Sequence, residues 1–378
     1  MPRPWQPRDT LPLPVLRWRR LKSRRLGRRL PAARRGRDPP PAKSALVQLP
    51  VRQRAEVETL AFVLCIERNA MRPQALLLIE SIRAFAGAHR NAQIWAVAPR
   101  PRLGVDDETR ARLDALDATY VEEPLNLACP DYGSANRLYA AAWVARRATA
   151  TTLVVLDSDT LLLDEPELLG PRTDVAARPV DMKGCATTGP GDPFEPYWES
   201  LCALAGESID VLPFLETTID RRRVRAAYNG GYSVVRRDTG ILESAADLFT
   251  RSVEADVRPL KGHDGAHVFS STGFVSMAAT EYWGSNQAAL AVATWSTTRR
   301  VRKLDARYNV PVHALAADAG RSEEWKGIRP IHVHYHFMLY AEHRSQGLEV
   351  LTSLGTPPDR LAWIAARTPL DGSHVTWR

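Results

Sequence analysis

Cysteine is scarce in these 378 residues: four, at positions 65, 129, 185 and 202. None forms a Cys-x-x-Cys pair and none has a zinc-type spacing. A disulfide framework is therefore not expected, and the scattered thiols fit a reducing compartment. Long apolar runs are also missing. No stretch approaches the roughly 18–20 residues of a membrane-spanning helix. The charges near the start are not followed by the apolar segment of about 7–15 residues that a signal peptide needs. There is no internal repeat. What remains is an ordinary globular composition, 44% apolar and 25% charged, long enough to bury a sizeable core.

The net charge of +8 is local. Residues 1–45 hold 14 Lys and Arg against Asp9 and Asp38, while the remainder has 37 basic and 41 acidic residues. The body is mildly acidic, so the charge is no sign of a nucleic-acid-binding domain. Pro31, Pro39, Pro40 and Pro41 forbid a continuous helix in this arm. Its plain reading is a solvated, disordered tail over residues 1–50. Two others stay open: a weak peripheral contact with an anionic membrane surface, aided by Trp5 and Trp18, and nonspecific nucleic-acid binding. Specific nucleic-acid recognition is not expected.

From about residue 57 the pattern becomes α/β. Residues 60–66 form a buried-strand run, followed by a helical apolar face over 72–85. Strands are predicted at 93–98, 119–121 and 151–156, and helices at 106–116 and 133–147. Such alternation argues for a mainly parallel sheet with helices on both faces, whose ligands bind at the carboxyl ends of strands. Pro and Gly cluster over 187–196 and predict a ligand-facing loop.

The sharpest feature is the run Thr152-Leu153-Val154-Val155-Leu156-Asp157-Ser158-Asp159. A buried strand leads straight into two carboxylates. If the chain stays extended, period two puts Asp157 and Asp159 on one side. Buried charge there calls for compensation, and a hard divalent cation supplies it. The bland alternative is an acidic turn capping a helix. Phosphatases of the haloacid dehalogenase class also end a strand in Asp-x-Asp, but they carry Thr or Val two residues beyond the second Asp, where this chain has Leu161.

On these residues the chain resembles the GT-A nucleotide-sugar glycosyltransferases, and within them the family-8-like group of glycogenin and bacterial lipopolysaccharide galactosyltransferases. The Asp-x-Asp at 157–159 resembles their metal motif. Residues 62–66 with Glu67, Arg68 and Asn69 resemble the first strand and its nucleotide-contacting loop. Ser134-Ala135-Asn136-Arg137-Leu138 resembles the segment before the motif, with Arg137 in place of a Lys. Asn229-Gly230-Gly231 resembles the strand facing the donor sugar. Ser285-Asn286-Gln287 resembles a helix start at which the family has Asp rather than Asn286. Arg307-Tyr308-Asn309 resembles the late turn. His332-Val333-His334-Tyr335-His336 resembles the final metal-binding strand, with Phe337 where the family has Gly.

The resemblance implies an α/β, Rossmann-like GT-A domain over 57–366, with a nucleotide-binding half (57–165) and an acceptor and metal-completing half (166–366). It implies a cytoplasmic glycosyltransferase, peripheral to the inner membrane face if the arm binds lipid. It would use Mn²⁺ or Mg²⁺ and a nucleotide-diphosphate sugar, with UDP the expected carrier. The acceptor would be an unidentified glycan, lipid or protein. Asp157, Asp159 and His334 are the expected metal ligands. An extended strand would turn His332 and His336 to the same face as His334, which leaves these two as alternates. Donor contacts are expected from Arg68, Asn69, Asn136, Arg137, Asp157, Ser158, Asn229, Gly230 and Gly231. Asp264 and Glu281 are candidate acceptor bases, and Gln287 is expected near the donor sugar. A nucleotidyltransferase on a related fold would carry a Gly-rich basic loop after the first strand, which residues 67–75 lack. A nucleotide-sugar-binding protein without turnover is the other alternative.

Overall fold

The computed structural model describes residues 58–261, 269–270, 273–274 and 277–372, all within the unit Arg54–Arg378. The basic arm and Asp264 lie outside the described residues. The first half alternates as predicted: β1 (Leu60–Cys65), α1 (Met71–Phe85), β2 (Gln93–Ala98), α2 (Asp107–Ala115), β3 (Ala118–Glu122), α3 (Asn136–Ala145) and β4 (Thr152–Leu156). Local chemistry sets the helix starts. Asn69 Oδ1 accepts the Met71 N–H at 2.8 Å before α1, and Asp106 Oδ1 accepts the Thr109 N–H at 2.9 Å before α2. Both satisfy amides that a helix leaves unpaired at its first turn.

The later chain adds β5 (Thr160–Leu162), β6 (Val175–Pro179), α4 (Glu195–Leu204), β7 (Phe214–Glu216), β8 (Arg223–Arg225), β9 (Tyr228–Arg236), α5 (Ile241–Glu254), β10 (Phe269–Ser270), β11 (Gly273–Phe274), α6 (Met277–Thr280), α7 (Ser285–Thr297), β12 (Val301–Lys303), β13 (Val310–Pro311), α8 (Val312–Ala317), α9 (Ala319–Glu324), β14 (His332–His334), α10 (Arg344–Ser353) and α11 (Pro358–Ala365). Seven strands form the central sheet in the order β12-β6-β9-β4-β1-β2-β3. Neighbours are parallel except at β9, which runs against both β4 and β6. The mixed, mainly parallel sheet expected from the sequence is thus present.

Both faces of the sheet are covered. Along β1, Leu60, Phe62 and Leu64 pack with α1, while Ala61, Val63 and Cys65 pack with α3, α5 and α7. This period-two split explains a strand that is apolar at every position. A second sheet, β13-β14-β5, forms a third cluster with α8, α10 and α11.

Two features of this topology build the site. The chain runs outward from β1 through β2 to β3, then returns to β4 on the other side of β1. The reversal leaves a crevice at the carboxyl ends of β1 and β4, where open α/β sheets bind ligands. The antiparallel β9 contributes its amino-terminal end, Tyr228 to Gly231, to that same edge.

Candidate active site

A cavity of about 530 Å³ opens at this edge. Its wall includes Asn69, Arg137, Asp157, Ser158, Asp159, Asn229, Gln287 and His334, eight of the residues expected from sequence. Others stand elsewhere. Arg68 hydrogen-bonds the Arg102 carbonyl at 3.4 Å and does not line the cavity. Glu281 pairs with Arg258, also outside the lining. Asn136 is buried behind the wall: it donates to Glu67 Oε1 at 3.0 Å and accepts from Asn126 at 2.8 Å. Glu67 is fully buried and ion-paired with Arg100. Asn136 and Glu67 therefore brace the loops around the cavity through protein partners.

The Asp-x-Asp is a turn and not the continued strand that period two assumed. The Ser158 hydroxyl donates to the Cys65 carbonyl at 2.6 Å, and the Thr160 hydroxyl donates to the Asp157 carbonyl at 2.6 Å. These bonds lead the chain out of the central sheet at β4 and into the second sheet at β5. The two carboxylates consequently face different partners. Arg137 Nη1 donates to both oxygens of Asp157 at 2.5 Å. Asp159 lies 3.2 Å from His334 Nε2 and 3.2 Å from His336 Nδ1.

Strand register explains why His334 is there. β14 runs antiparallel to β5 with His334 opposite Thr160 and His332 opposite Leu162. His334 thus lands beside the turn, and His332 lies one pair deeper, its ring 4.7 Å from that of Tyr232. The strand ends at His334, so alternation does not carry to His336. A left-handed backbone at His336, φ +50°, brings its ring into a stack with His334 at 3.9 Å. Asp159, His334 and His336 each offer a donor atom, all within 4.8 Å of one another.

The electrostatics follow from burial and contact. Burial works against the Asp159 carboxylate, but His334 and His336 outweigh it and hold its pKa well below the usual range. Burial likewise disfavours the His334 cation, and the charge of Asp159 reverses that and raises its pKa. Burial and the neighbouring His334 lower His336, and burial lowers His332 well below 6.5. Neutral imidazole is the form that binds metal.

The two glycines of β9 make room for protein side chains. A Cβ on Gly230 would stand 1.8–2.1 Å from the Arg137 guanidinium. A Cβ on Gly231 would stand 2.2 Å from Asn309 Oδ1 and 2.7 Å from His334 Nδ1. The sequence argument had reserved that space for a ligand. In the structure, Gly230 is what lets Arg137 cross β9 to Asp157.

Asn286, which stands where the resembled family has Asp, also has a structural reason. Its Oδ1 accepts from the Tyr132 hydroxyl at 2.9 Å and its Nδ2 donates to the Ser134 carbonyl at 2.6 Å. A carboxylate there could not donate. Phe337, where that family has Gly, has no left-handed backbone; the positive φ falls one residue earlier, at His336.

Among the lining residues that sequence reasoning missed, two carry polar groups that touch the predicted ones. Asp181 accepts from Asn229 Nδ2 and from the Thr218 hydroxyl, both at 2.6 Å. It follows β6, and the carboxyl-edge rule could have found it. His313, on α8, sets its ring 4.0 Å from His336 at 85°. Nothing in its local sequence marks it.

The Rhodobacterales glycosyltransferase domain model matches residues 62–258, from β1 through the Asp-x-Asp and Asn-Gly-Gly segments into the loop after α5. The chain belongs to this glycosyltransferase family. The match ends before Gln287 and the histidines, so those groups of the glycosyltransferase rest on geometry. Among solved structures, it is similar to the apo form of WbbM, a bifunctional glycosyltransferase: TM-score 0.43, 14% identity, 83% of this chain and 52% of that one. It is similar to the galactosyltransferase LgtC in complex with donor and acceptor sugar analogs: TM-score 0.44, 13% identity, 83% and 98% of the two chains. The glycosyltransferase GlyE of Streptococcus pneumoniae TIGR4 gives 0.40, 12%, 74% and 55%. The chain thus spans about half the length of WbbM and GlyE. No curated protein matches it in sequence. Among the described residues, no helix is long and apolar enough to cross a membrane.

Proposed function

We propose that this glycosyltransferase, GT-A and family-8-like, takes its sugar from a nucleotide-diphosphate donor, with UDP as carrier. We further propose that a divalent cation, Mn²⁺ or Mg²⁺, is held at the Asp-x-Asp turn by Asp157, Asp159 and His334. The observation that carries this reading is the convergence of Asp159 with imidazole nitrogens at 3.2 Å on the rim of a cavity at the β1–β4 crevice. The fit of the donors to a cation is supported by their chemistry: a buried carboxylate and imidazole nitrogens, each offering a ligand atom within 4.8 Å of the others. Bound there, the cation would offset the negative charge that develops on the departing diphosphate.

The other residues then have definite work. Arg137, anchored on Asp157, holds a positive charge beside the diphosphate position. Ser158 and Asn69 line the nucleotide end, and Asn229 is held on Asp181. Gln287, at the start of α7, faces the cavity where the donor sugar would lie. Trp198 and Trp283 on the wall offer apolar surface for sugar faces. Glu281 is tied to Arg258, which leaves it a poor acceptor base. A cytosolic donor pool suits work in the cytoplasm, and the basic residues 1–50 would meet an anionic inner membrane face. The acceptor is a glycan, lipid or protein with a hydroxyl able to enter this cavity.

The test is a thermal-shift panel of nucleoside diphosphates with and without Mn²⁺, on the wild type and on Asp157→Ala/Asp159→Ala. A ligand at a hundred times its Kd adds about 2.7 kcal/mol of apparent stability. The expected result is a UDP shift that needs Mn²⁺ and is lost in the double variant, together with transfer or slow hydrolysis of a UDP-sugar. A folded protein that responds to no nucleotide sinks the donor assignment. Binding without any turnover of nucleotide sugars favours the non-catalytic reading.

A further inference from the structure

The Asp-x-Asp turn and His334 do not exhaust the donor atoms at this place. His336 was only one of two alternates by sequence, and an extended strand would have carried its side chain along β14. The chain instead breaks β14 after His334 and takes a left-handed backbone at His336. For a residue with a Cβ that conformation costs about 1 kcal/mol or more, so something must hold it. Three contacts do. The His336 ring stacks on His334 at 3.9 Å and 22°. His313 sets its ring edge-on to it at 4.0 Å and 85°. His336 Nδ1 lies 3.2 Å from Asp159 Oδ2, while His334 Nε2 lies 3.2 Å from the other oxygen of the same carboxylate. Two imidazoles thus bracket one carboxylate, with Asp157 drawn aside to Arg137.

We infer that His336 is a further metal ligand of this enzyme, joining Asp159 and His334, and that the second imidazole makes the site prefer Mn²⁺, Co²⁺ or Zn²⁺ to Mg²⁺. The inference rests on the metal reading above and deepens it. Mg²⁺ is a hard ion that keeps oxygen ligands and water, whereas imidazole nitrogen suits the borderline first-row ions. Each added nitrogen therefore moves selectivity away from Mg²⁺. His313 is a positioning residue in this arrangement: its ring packs against that of His336.

The experiment measures the ion and not turnover. Metal-stripped wild-type protein is titrated with Co²⁺, followed by its visible absorption, and the bound ion is competed with Mg²⁺. Pulsed EPR on the Mn²⁺ form counts the coordinated imidazoles. The expected result is two imidazoles in the wild type and little displacement by a large excess of Mg²⁺. His336→Asn, a residue that tolerates the left-handed backbone, should lose one imidazole and weaken Co²⁺ binding at least about tenfold. One imidazole in the wild type overturns the inference. So does His336→Asn binding Co²⁺ like the wild type while His334→Asn and Asp159→Asn fail to bind. A wild type that binds no divalent ion at all overturns the metal reading on which the inference rests, and is distinguishable from both. The wild-type imidazole count needs no variant, so a poorly folded variant does not remove the test.

Discussion

Adding one methyl group at Gly230 should break the ion pair between Arg137 and Asp157. The new Cβ would fall 1.8 Å from Arg137 Nη2 and 1.9 Å from Cζ, far inside van der Waals contact. Gly230 has no positive φ, so the backbone itself accepts alanine and the cost lies wholly in displacing Arg137. A guanidinium at the end of a flexible stem can usually move aside. This one is 8% exposed and bonded to both oxygens of Asp157, so it moves only by abandoning them. Loss of a partner in a buried pair costs about 3–5 kcal/mol. The Asp157 side chain is 25% exposed and water can reach it, which reduces the expected loss to roughly 2 kcal/mol. For a folded unit of this size that is a fall in Tm of roughly 3 °C. The decisive assay is a double-mutant cycle by thermal melting. In an Arg137→Ala background the methyl meets no guanidinium, so Gly230→Ala should become nearly neutral. The coupling should therefore approach the whole cost of the single variant. Additive effects, or a neutral Gly230→Ala in the wild type, would refute the claim that this glycine exists to let Arg137 through.

Gly231→Ala should cost about 1–3 kcal/mol by overpacking, because Asn309 and His334 stand 2.2 and 2.7 Å from the added Cβ; calorimetric titration should also find Mn²⁺ binding weakened, and unchanged binding would remove His334 from the site. Asn286→Asp should destabilise by about 1–3 kcal/mol near neutral pH, since the bond to the Ser134 carbonyl loses its donor; the deficit against wild type should shrink in acid, where a protonated carboxyl donates again, and a deficit independent of pH would contradict this. His313 is pushed down to about 2 by burial and by the neighbouring His336 and His334. Its unfolded form binds a proton below about 6.5 and its folded form does not, so stability is present above that pH and falls as pH drops, by up to about 1.4 kcal/mol per pH unit. His313→Gln should flatten the fall in Tm between about pH 6.5 and 4.5 in chelator, and an unaltered slope would argue against a neutral buried His313.

What was legible in the sequence is what depends on neighbours in the chain. The apolar run of β1, the helical face of α1 and the β-branched strand before Asp157 follow from local periodicity, and so does the carboxyl-edge location of the site. The misread features depend on partners far apart. Asp157 and Asp159 diverge because Ser158 is tied to Cys65, 93 positions away. Gly230 is explained by Arg137, and Gly231 by Asn309 and His334. Neither explanation is visible in an Asn-Gly-Gly string, which reads equally well as a ligand-facing backbone. His336 needed a left-handed turn that alternation cannot foresee, and His313 became relevant only once α8 packed against that turn.

The placement of β9 and β14 has a consequence for timing. The Asp-x-Asp turn precedes its companions in the chain: Asn229 to Gly231 on β9, His313 on α8, and His334 and His336 at and beyond the end of β14. A growing chain therefore carries both carboxylates for well over a hundred residues before the groups that complete the set around Asp159 emerge. Binding of the proposed ion would in this sense require β14 to be docked on β5. By linkage, a bound donor would then protect distant strands together. Hydrogen exchange with and without UDP and Mn²⁺ should show β1 and β14 gaining protection by the same amount.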